Sequence, residues 1–329
     1  MPQLPNCPFE TTKIGVGCAY LTAGSPTRHD HRLIHAAFEA GARHFDVAPM
    51  YGMGTAERVL GAALAKRRAQ VTITTKAGLP GRPAPGYKLI ARALAAPIRD
   101  KIRHSRVQQS WQNTASADIP VARPKGDFAP DSIRRSLENS LRALRTDWVD
   151  VLALHEARPE DITDDLIQLL LDAKAAGKIR ALGIASTRAD GQHILAQWPN
   201  VFEVVQFSLS ALDAPIPAAD FPAFRITHRS LMPAFHKLSA AMAQDPALGR
   251  RLSQTAEADL TAPETLARGL IGAAQALNPE GITLVASHSI ARTRQNVQDG
   301  LAPDTALLGT RVLAALAQHG RVLDAAAQP

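Results

Sequence analysis

Two hydrophobic patterns alternate along the chain, short apolar runs of strand length and longer amphipathic stretches of helical period. The eight apolar runs are 13–18, 43–46, 71–76, 148–155, 180–184, 203–207, 224–228 and 282–286. The helical stretches are 31–40, 56–67, 131–144, 166–175, 188–196 and 263–277. This order is typical of a parallel sheet made of βαβ units, and eight strands favour a closed barrel. The predicted fold class is therefore α/β, a (β/α)8 TIM barrel.

Two segments interrupt the alternation. Residues 79–129 follow the third strand and contain several prolines and glycines. A loop of about 50 residues is far longer than an ordinary βα connection, so we expect an inserted loop or lid at the catalytic rim. Residues 231–262 are expected to form extra helices before the helix at 263–277.

Length and composition place the chain among globular proteins. Its 329 residues fit one barrel domain spanning 1–329, and 46% of them are hydrophobic, which supplies a large core. No apolar run approaches the roughly 20 residues that a spanning helix needs, and the N-terminus has no signal-peptide pattern. We expect no membrane association and a cytoplasmic location. Cys7 and Cys18 are too few for a disulfide framework.

The formal charge of +7 raises the question of nucleic acid as a partner. The basic residues are dispersed along helical stretches, and no aromatic platform or known nucleic-acid module accompanies them. We therefore expect solvated basic helix faces and no nucleic-acid binding. A positive field would also attract an anionic cofactor.

Four polar residues fall at or just beyond the ends of predicted strands: Asp46, Tyr51, Lys76 and His155. In a parallel barrel these ends meet at one rim, where catalytic groups converge. We therefore expect these four side chains to lie close together at the rim.

The strings around these residues are "HFDVAPMYGMGTAERVLGAAL", "VTITTKAG" and "DWVDVLALHEA". They resemble the aldo-keto reductase superfamily, whose barrel holds a nicotinamide cofactor and whose tetrad is Asp, Tyr, Lys and His. The resemblance implies that Asp46, Tyr51, Lys76 and His155 are catalytic. It implies no metal, and the histidines at 29, 31 and 35 lack the carboxylate or cysteine set that a metal site would add.

The reaction that the resemblance implies is reduction of a carbonyl, which needs a proton donor and positive potential near the developing oxyanion. Tyr51 could donate the proton, with Lys76 lowering the pKa of its phenol and Asp46 holding the ammonium. His155 could orient the substrate oxygen or assist proton transfer.

The same resemblance implies the cofactor site. The string "LVASHSIARTRQNVQDGL" follows the eighth strand, where barrels bind phosphate at a helix N-terminus. By resemblance, Ser287 and Arg292 would meet the adenosine 2′-phosphate, and Gln295 with Asn296 the adenine. An arginine at a phosphate favours NADP, with NAD as the open alternative.

Looser matches imply the nicotinamide end. Ser186 and Gln206 stand where the family holds the carboxamide, and His228 where many members place an aromatic ring against the nicotinamide. Three departures from the family pattern bear on the cofactor expectations. Ala185 replaces a hydrogen-bonding serine, Ala286 stands where many NADP-specific members have a basic residue, and Gln295 replaces a glutamate.

The expected function is NAD(P)H-dependent reduction of an aldehyde or ketone, on a small-molecule carbonyl or sugar substrate. The glycine-rich "YGMGTAER" resembles members that oxidise sugars, so an aldose 1-dehydrogenase is the first alternative. Two others stay open: a Schiff-base aldolase that uses Lys76, and a non-catalytic redox sensor that retains the cofactor. The sequence gives neither the substrate nor the oligomeric state.

Overall fold

A computed structural model describes residues 2–7, 10–21, 28–79, 125–217 and 221–319. Its strands are β1 (Ile14–Gly17), β2 (His44–Asp46), β3 (Thr72–Ala77), β4 (Val149–His155), β5 (Ile179–Ala185), β6 (Val204–Ser208), β7 (Phe224–His228) and β8 (Ile282–Val285). All pair in parallel in chain order, and β8 returns to β1. The predicted (β/α)8 barrel is confirmed.

Ten α-helices occur in the described residues, most of them between strands. They are α1 (Arg28–Glu39), α2 (Ala56–Leu64), α3 (Pro130–Leu144), α4 (Asp164–Ala175), α5 (Arg188–Gln197), α6 (Met232–Gln244), α7 (Pro246–Ala256), α8 (Pro263–Leu277), α9 (Ile290–Leu301) and α10 (Thr305–His319). The extra helices expected in 231–262 are α6 and α7. Most of the expected lid, residues 80–124, lies outside the described residues. No described helix has both the length and the apolar character needed to span a bilayer.

Several predicted helix boundaries differ from the observed ones by one to three residues, and two of the differences have a clear physical reason. The helix expected at 56–67 ends at Leu64 and continues as a 3-10 turn over Ala65–Gln70. In this 3-10 turn the Arg68 side chain points inward and donates to the backbone carbonyls of Val71 and Trp148. A continued α-helix would not place the side chain where it can make these contacts. Helix α3 begins at Pro130, one residue before Asp131, because proline suits the first helical position, where no backbone N–H donor is needed.

The space inside the barrel is filled by side chains. Val151, Ala181, Ile226 and Leu284 form an apolar cluster there with the N-terminal Leu4, which is fully buried. The other part of the interior is polar, where the His44 imidazole contacts the Thr72 and Thr74 hydroxyls of β3. Alternate strand residues thus fill the interior, as expected for a packed barrel.

A buried charge cluster ties the N-terminal end of the barrel together. Asp150 is fully buried at the start of β4. Its carboxylate accepts hydrogen bonds from Arg68 at 2.8 Å, from Arg180 at 2.5 Å and from the backbone N–H of Ile73 at 2.8 Å. Both guanidinium groups also lie against the Trp148 ring, at 4.6 and 5.0 Å from its centroid. Neighbouring strands and the turn after α2 are fixed relative to one another through one carboxylate.

We predict that Asp150→Asn destabilises the protein by about 3–5 kcal/mol, because two partly buried guanidinium groups lose their counter-charge. The free energy of unfolding in urea measures this change. Glu160→Gln serves as the matched control: Glu160 pairs with Arg158 at 3.9 Å, its side chain is 68% exposed, and the expected cost is under about 1 kcal/mol. Equal costs for the two substitutions would contradict the assigned role of Asp150.

Candidate active site

The C-terminal mouth of the barrel holds a buried ion pair between neighbouring strands. Lys76 on β3 donates to Asp46 Oδ1 on β2 at 2.6 Å, and the two residues are 2% and 3% exposed. The strand register places them side by side, since Asp46 pairs with Thr74, two residues before Lys76 on the same face of β3. Two of the strand ends picked out in the sequence therefore meet.

The ammonium of Lys76 has three N–H donors, and the structure supplies three acceptors. Besides Asp46 they are the backbone carbonyl of Val47 and the phenol oxygen of Tyr51, each at 3.3 Å. The Tyr51 oxygen therefore accepts from Lys76 and keeps its own proton to donate elsewhere. In the described part of the chain no acceptor takes that proton.

A left-handed turn carries Tyr51 over the mouth. Gly52, Met53 and Gly54 follow it with φ angles of 57°, 55° and 85°. This conformation suits glycine, and a Cβ on Gly52 would also lie 3.3 Å from the carbonyl oxygen of Leu21. The glycines of the "YGMG" string therefore serve the geometry of this turn.

Two histidines face the cluster from the ends of β4 and β7. The His155 ring lies edge-on to the Tyr51 ring, with centroids 6.1 Å apart and an interplanar angle of 87°. His155 and His228 each precede a non-glycine residue with a left-handed backbone, Glu156 and Arg229, both with φ of 57°. Such conformations cost free energy and concentrate at functional sites.

Burial sets the protonation states of these groups. It lowers the pKa of His155 to about 3 and that of His228 to about 4, and the Lys76 charge acts in the same direction. Both imidazoles are therefore neutral at pH 7. Burial also raises the pKa of Tyr51, and Lys76 opposes this only in part. The expected effect of Lys76 on the phenol is therefore present, but desolvation of the phenolate outweighs it, and the net pKa of Tyr51 lies above the ordinary value.

Lys76 remains a cation. Burial alone would lower the pKa of its ammonium, but Asp46 and Tyr51 together raise it above the ordinary value. A Schiff-base lysine must be neutral to attack a carbonyl, which requires the opposite shift. This finding disfavours the aldolase alternative.

The residues expected to hold the nicotinamide end have different surroundings. Gln206 on β6 is 2% exposed, and its Nε2 donates to Asp46 Oδ2 at 3.0 Å. The Ser186 hydroxyl donates to the carbonyl of Ala157 at 2.8 Å, so its proton is committed within the protein. Of the two, Gln206 retains a free polar atom: its Oε1 is buried and has no hydrogen-bond partner among the described residues.

The residues expected at the adenosine end lie at the start of α9. Ser287 Oγ accepts from the backbone N–H of Ser289 at 3.1 Å, and the Ser289 hydroxyl caps the helix by accepting from the N–H of Arg292. Arg292 is exposed and has no ion pair within the described ranges, unlike Arg294, which pairs with Glu39 at 3.5 Å. A capped N-terminus beside an unpaired guanidinium suits a phosphate.

Two of the expected residues lie one turn further along α9. Gln295 donates to Asp299 Oδ1 at 2.8 Å, and Asn296 is half-buried. Gln295 would have to exchange this contact to meet an adenine. Taken together, the free Gln206 oxygen and the α9 N-terminus fit the two ends of a dinucleotide.

The sequence reasoning missed Cys18 as a neighbour of the site. Cys18 follows β1 and is 1% exposed. Its thiol interacts electrostatically with Asp46 and Lys76. Burial raises its pKa above the ordinary value, so it stays a neutral thiol. The strand-end rule that identified Asp46 would also have identified this residue.

Comparison with known proteins identifies the family. The model of the "Aldo/keto reductase family" matches residues 13–218, about three fifths of the chain. The chain belongs to this family. Among curated relatives, D-threo-aldose 1-dehydrogenase from a Pseudomonas species is 32% identical over 162 residues, 48% of this chain and 44% of that protein. The NADH-specific methylglyoxal reductase of Escherichia coli is 27% identical and matches over 54% of this chain and 47% of that protein.

Solved structures of the family share the barrel. A glycerol dehydrogenase from Gluconobacter oxydans has a TM-score of 0.65 at 19% identity, covering 97% of this chain and 95% of that one. An aldo-keto reductase from Bacillus halodurans in its holo form has a TM-score of 0.63 at 20% identity, with 95% of each chain covered. The chain spans about half the length of the curated relatives it matches, so its activity is a separate question.

The buried histidines of this aldo-keto reductase predict a loss of stability in acid. His44, with a pKa lowered to about 3 by burial, joins His155 and His228. Because each pKa lies below the ordinary value of 6.5, the unfolded chain binds more protons, and stability is lost as the pH falls below 6.5.

Urea unfolding of the wild type and of His155→Gln at several pH values between 7.5 and 4.5 tests this expectation. The substitution should make the acid slope of the unfolding free energy shallower, by at most about 1.4 kcal/mol per pH unit. Parallel slopes would mean that His155 is not held neutral by the fold.

Proposed function

We propose that the protein is a nicotinamide-dependent oxidoreductase that reduces an aldehyde or ketone to an alcohol. The observation that carries the proposal is the Lys76 ammonium, whose three donors are taken up by Asp46, Val47 and Tyr51. This arrangement leaves the Tyr51 proton as the one that the cluster can donate. Family membership and the free polar groups at both ends of the proposed dinucleotide site support it.

Each residue of the cluster has its own role in this reaction. When bound, a reduced nicotinamide dinucleotide supplies the hydride for the carbonyl carbon. Tyr51 Oη donates its proton to the carbonyl oxygen, and the resulting phenolate lies beside the Lys76 charge. Neutral His155 donates a hydrogen bond that orients the same oxygen. Asp46 keeps the ammonium charged and in place. The products balance as one alcohol from one carbonyl, one hydride and one proton.

The cofactor preference is part of the proposal. Gln206 is proposed to bind the nicotinamide carboxamide, His228 to lie against its ring, and Ser186 to line that end. At the other end we assign the 2′-phosphate to Ser287 and Arg292, and the adenine to Gln295 and Asn296. Arg292, which has no ion pair among the described residues, supports NADP, while Ala286 supplies no second cation, which leaves NAD as the alternative.

A second candidate function is oxidation of a sugar at its anomeric carbon. The similarity to D-threo-aldose 1-dehydrogenase and the shared need for a proton-transferring tyrosine favour it. In that direction Tyr51 must accept a proton. Because burial raises its pKa, sugar oxidation should speed up as the pH rises, whereas carbonyl reduction should slow down. Initial rates with aldoses and with simple aldehydes, at pH 6 to 10, separate the two.

Small-molecule carbonyls or sugars are the proposed partners. A cytoplasmic location is also proposed, since the two cysteines are free, buried thiols, which suits a reducing compartment.

We predict that Tyr51→Phe lowers kcat by at least about a hundred-fold, because the proton donor is lost while the ring is retained. Dinucleotide affinity, measured by fluorescence titration, should stay within a few-fold of wild type. Tyr20→Phe is the control, since Tyr20 also lies at the mouth but contacts the His288 ring, with centroids 4.9 Å apart. A parallel loss of affinity and turnover in Tyr51→Phe would show a structural role instead.

Arg292→Gln should weaken NADPH binding by about ten-fold or more and leave NADH binding nearly unchanged, because only NADPH carries the 2′-phosphate. Arg294→Gln provides the comparison on the same helix, since its guanidinium already pairs with Glu39. If both variants bind NADPH equally well, the 2′-phosphate is not at Arg292.

A further inference from the structure

Gln206 has two polar ends in different environments, and both are buried. Its Nε2 donates to Asp46 Oδ2 at 3.0 Å, while its Oε1 has no partner in the part of the chain that the structure describes. The orientation of the amide follows from chemistry, because an ionised carboxylate only accepts hydrogen bonds and so must face the NH2 group. No described residue donates to the carbonyl end, and Gln206 as a whole is only 2% exposed.

The hydrogen bond from Gln206 helps to fix the orientation of the Asp46 carboxylate. One carboxylate oxygen accepts from Lys76 at 2.6 Å and the other from Gln206. A carboxylate held at both oxygens cannot rotate away from the ammonium. Since the ammonium in turn donates to Tyr51 Oη at 3.3 Å, the position of the phenol depends on Gln206 through two intervening groups.

The unpartnered Oε1 requires a donor. A buried acceptor without a partner costs free energy that a ligand N–H can recover. A primary carboxamide provides such an N–H, and the nicotinamide ring of the proposed cofactor carries one.

We propose that Gln206 is a positioning residue that couples the nicotinamide carboxamide to the Asp46–Lys76 ion pair. This inference rests on the proposed function. The amide accepts from the ligand through Oε1 and donates to Asp46 through Nε2. Hydrogen bonds in series polarise one another, so binding at Oε1 strengthens the hold of Nε2 on Asp46. The ion pair and the proton donor are then best aligned when the cofactor is present.

The test uses Gln206→Met, which keeps the length of the side chain but loses both polar ends. Three quantities are measured: dinucleotide affinity, kcat at saturating dinucleotide, and the pKa of Tyr51 in the cofactor-free protein. The pKa of Tyr51 is read from phenolate absorbance, as the difference between pH titrations with Tyr51 present and with Tyr51→Phe. All three should change: affinity and kcat should each fall by about ten-fold, and the pKa of Tyr51 should rise, because Asp46 is left less well neutralised.

Gln275→Met is the matched control. Gln275 is also a buried glutamine, 8% exposed, with a single donated bond to the carbonyl of Gly300 at 2.8 Å. It lies on α8, away from the ion pair. This variant should leave all three quantities unchanged, which separates the loss of a buried amide in general from the loss of this one.

Gln206→Glu adds a signature that a purely structural role would not produce. A glutamic acid can donate to Asp46 only while the two carboxyl groups share a proton. The kcat of this variant, divided by that of the wild type at the same pH, should therefore rise as the pH falls from 8 to 5.5. A ratio independent of pH would contradict the proposal.

The remaining outcomes are also decisive. Weaker dinucleotide binding with unchanged saturated kcat and unchanged Tyr51 pKa would overturn the proposal and leave Gln206 as a simple cofactor contact. If the wild type binds no dinucleotide, the proposed function fails, and the cofactor-free titration still decides: a raised Tyr51 pKa in Gln206→Met supports the positioning role, and an unchanged one overturns it.

Discussion

The Asp46–Lys76 ion pair is the interaction on which the rest of the site depends. Two charges at 2.6 Å, almost fully removed from water, carry a large desolvation cost unless every remaining donor and acceptor is satisfied. The site meets this condition by giving Lys76 three acceptors and Asp46 two donors. Tyr51 and Gln206 thus satisfy the ion pair and are at the same time its proposed contacts with substrate and cofactor.

The barrel makes this arrangement possible because its two ends differ. The N-terminal end is tightly packed, and the C-terminal end carries the polar side chains of the site. At the N-terminal end Leu4 and the Asp150 cluster close the barrel and fix the strands. At the C-terminal end, three strands of the barrel, β2, β3 and β6, carry Asp46, Lys76 and Gln206. A buried charge is tolerable there only because the strands that carry its partners cannot move apart.

Much of this was predictable from the sequence, for physical reasons. Strand and helix periodicity gave the eight-fold alternation, and residues at strand ends of a parallel barrel must meet at one rim, which brought Asp46 and Lys76 together. Helix ends were less predictable, as the inward turn at Arg68 shows, because they depend on contacts with distant strands.

The contacts and protonation states within the site were not predictable. The bond between Gln206 and Asp46 joins residues 160 apart in the chain, and nothing local marks it. The pKa of Tyr51 depends on how burial competes with the Lys76 charge, and only the folded geometry decides that competition. The sequence pointed to an ammonium that lowers the pKa of the phenol, and the structure adds the larger, opposing effect of burial.

A crystal structure of the protein with bound NADP+ tests the central claim most directly. We expect the nicotinamide at the C-terminal mouth, with its carboxamide nitrogen within hydrogen-bond distance of Gln206 Oε1, its C4 position open toward Tyr51 Oη, and its phosphates at the start of α9. A dinucleotide bound elsewhere, or one whose nicotinamide lies away from the Asp46–Lys76–Tyr51 cluster, would contradict the account.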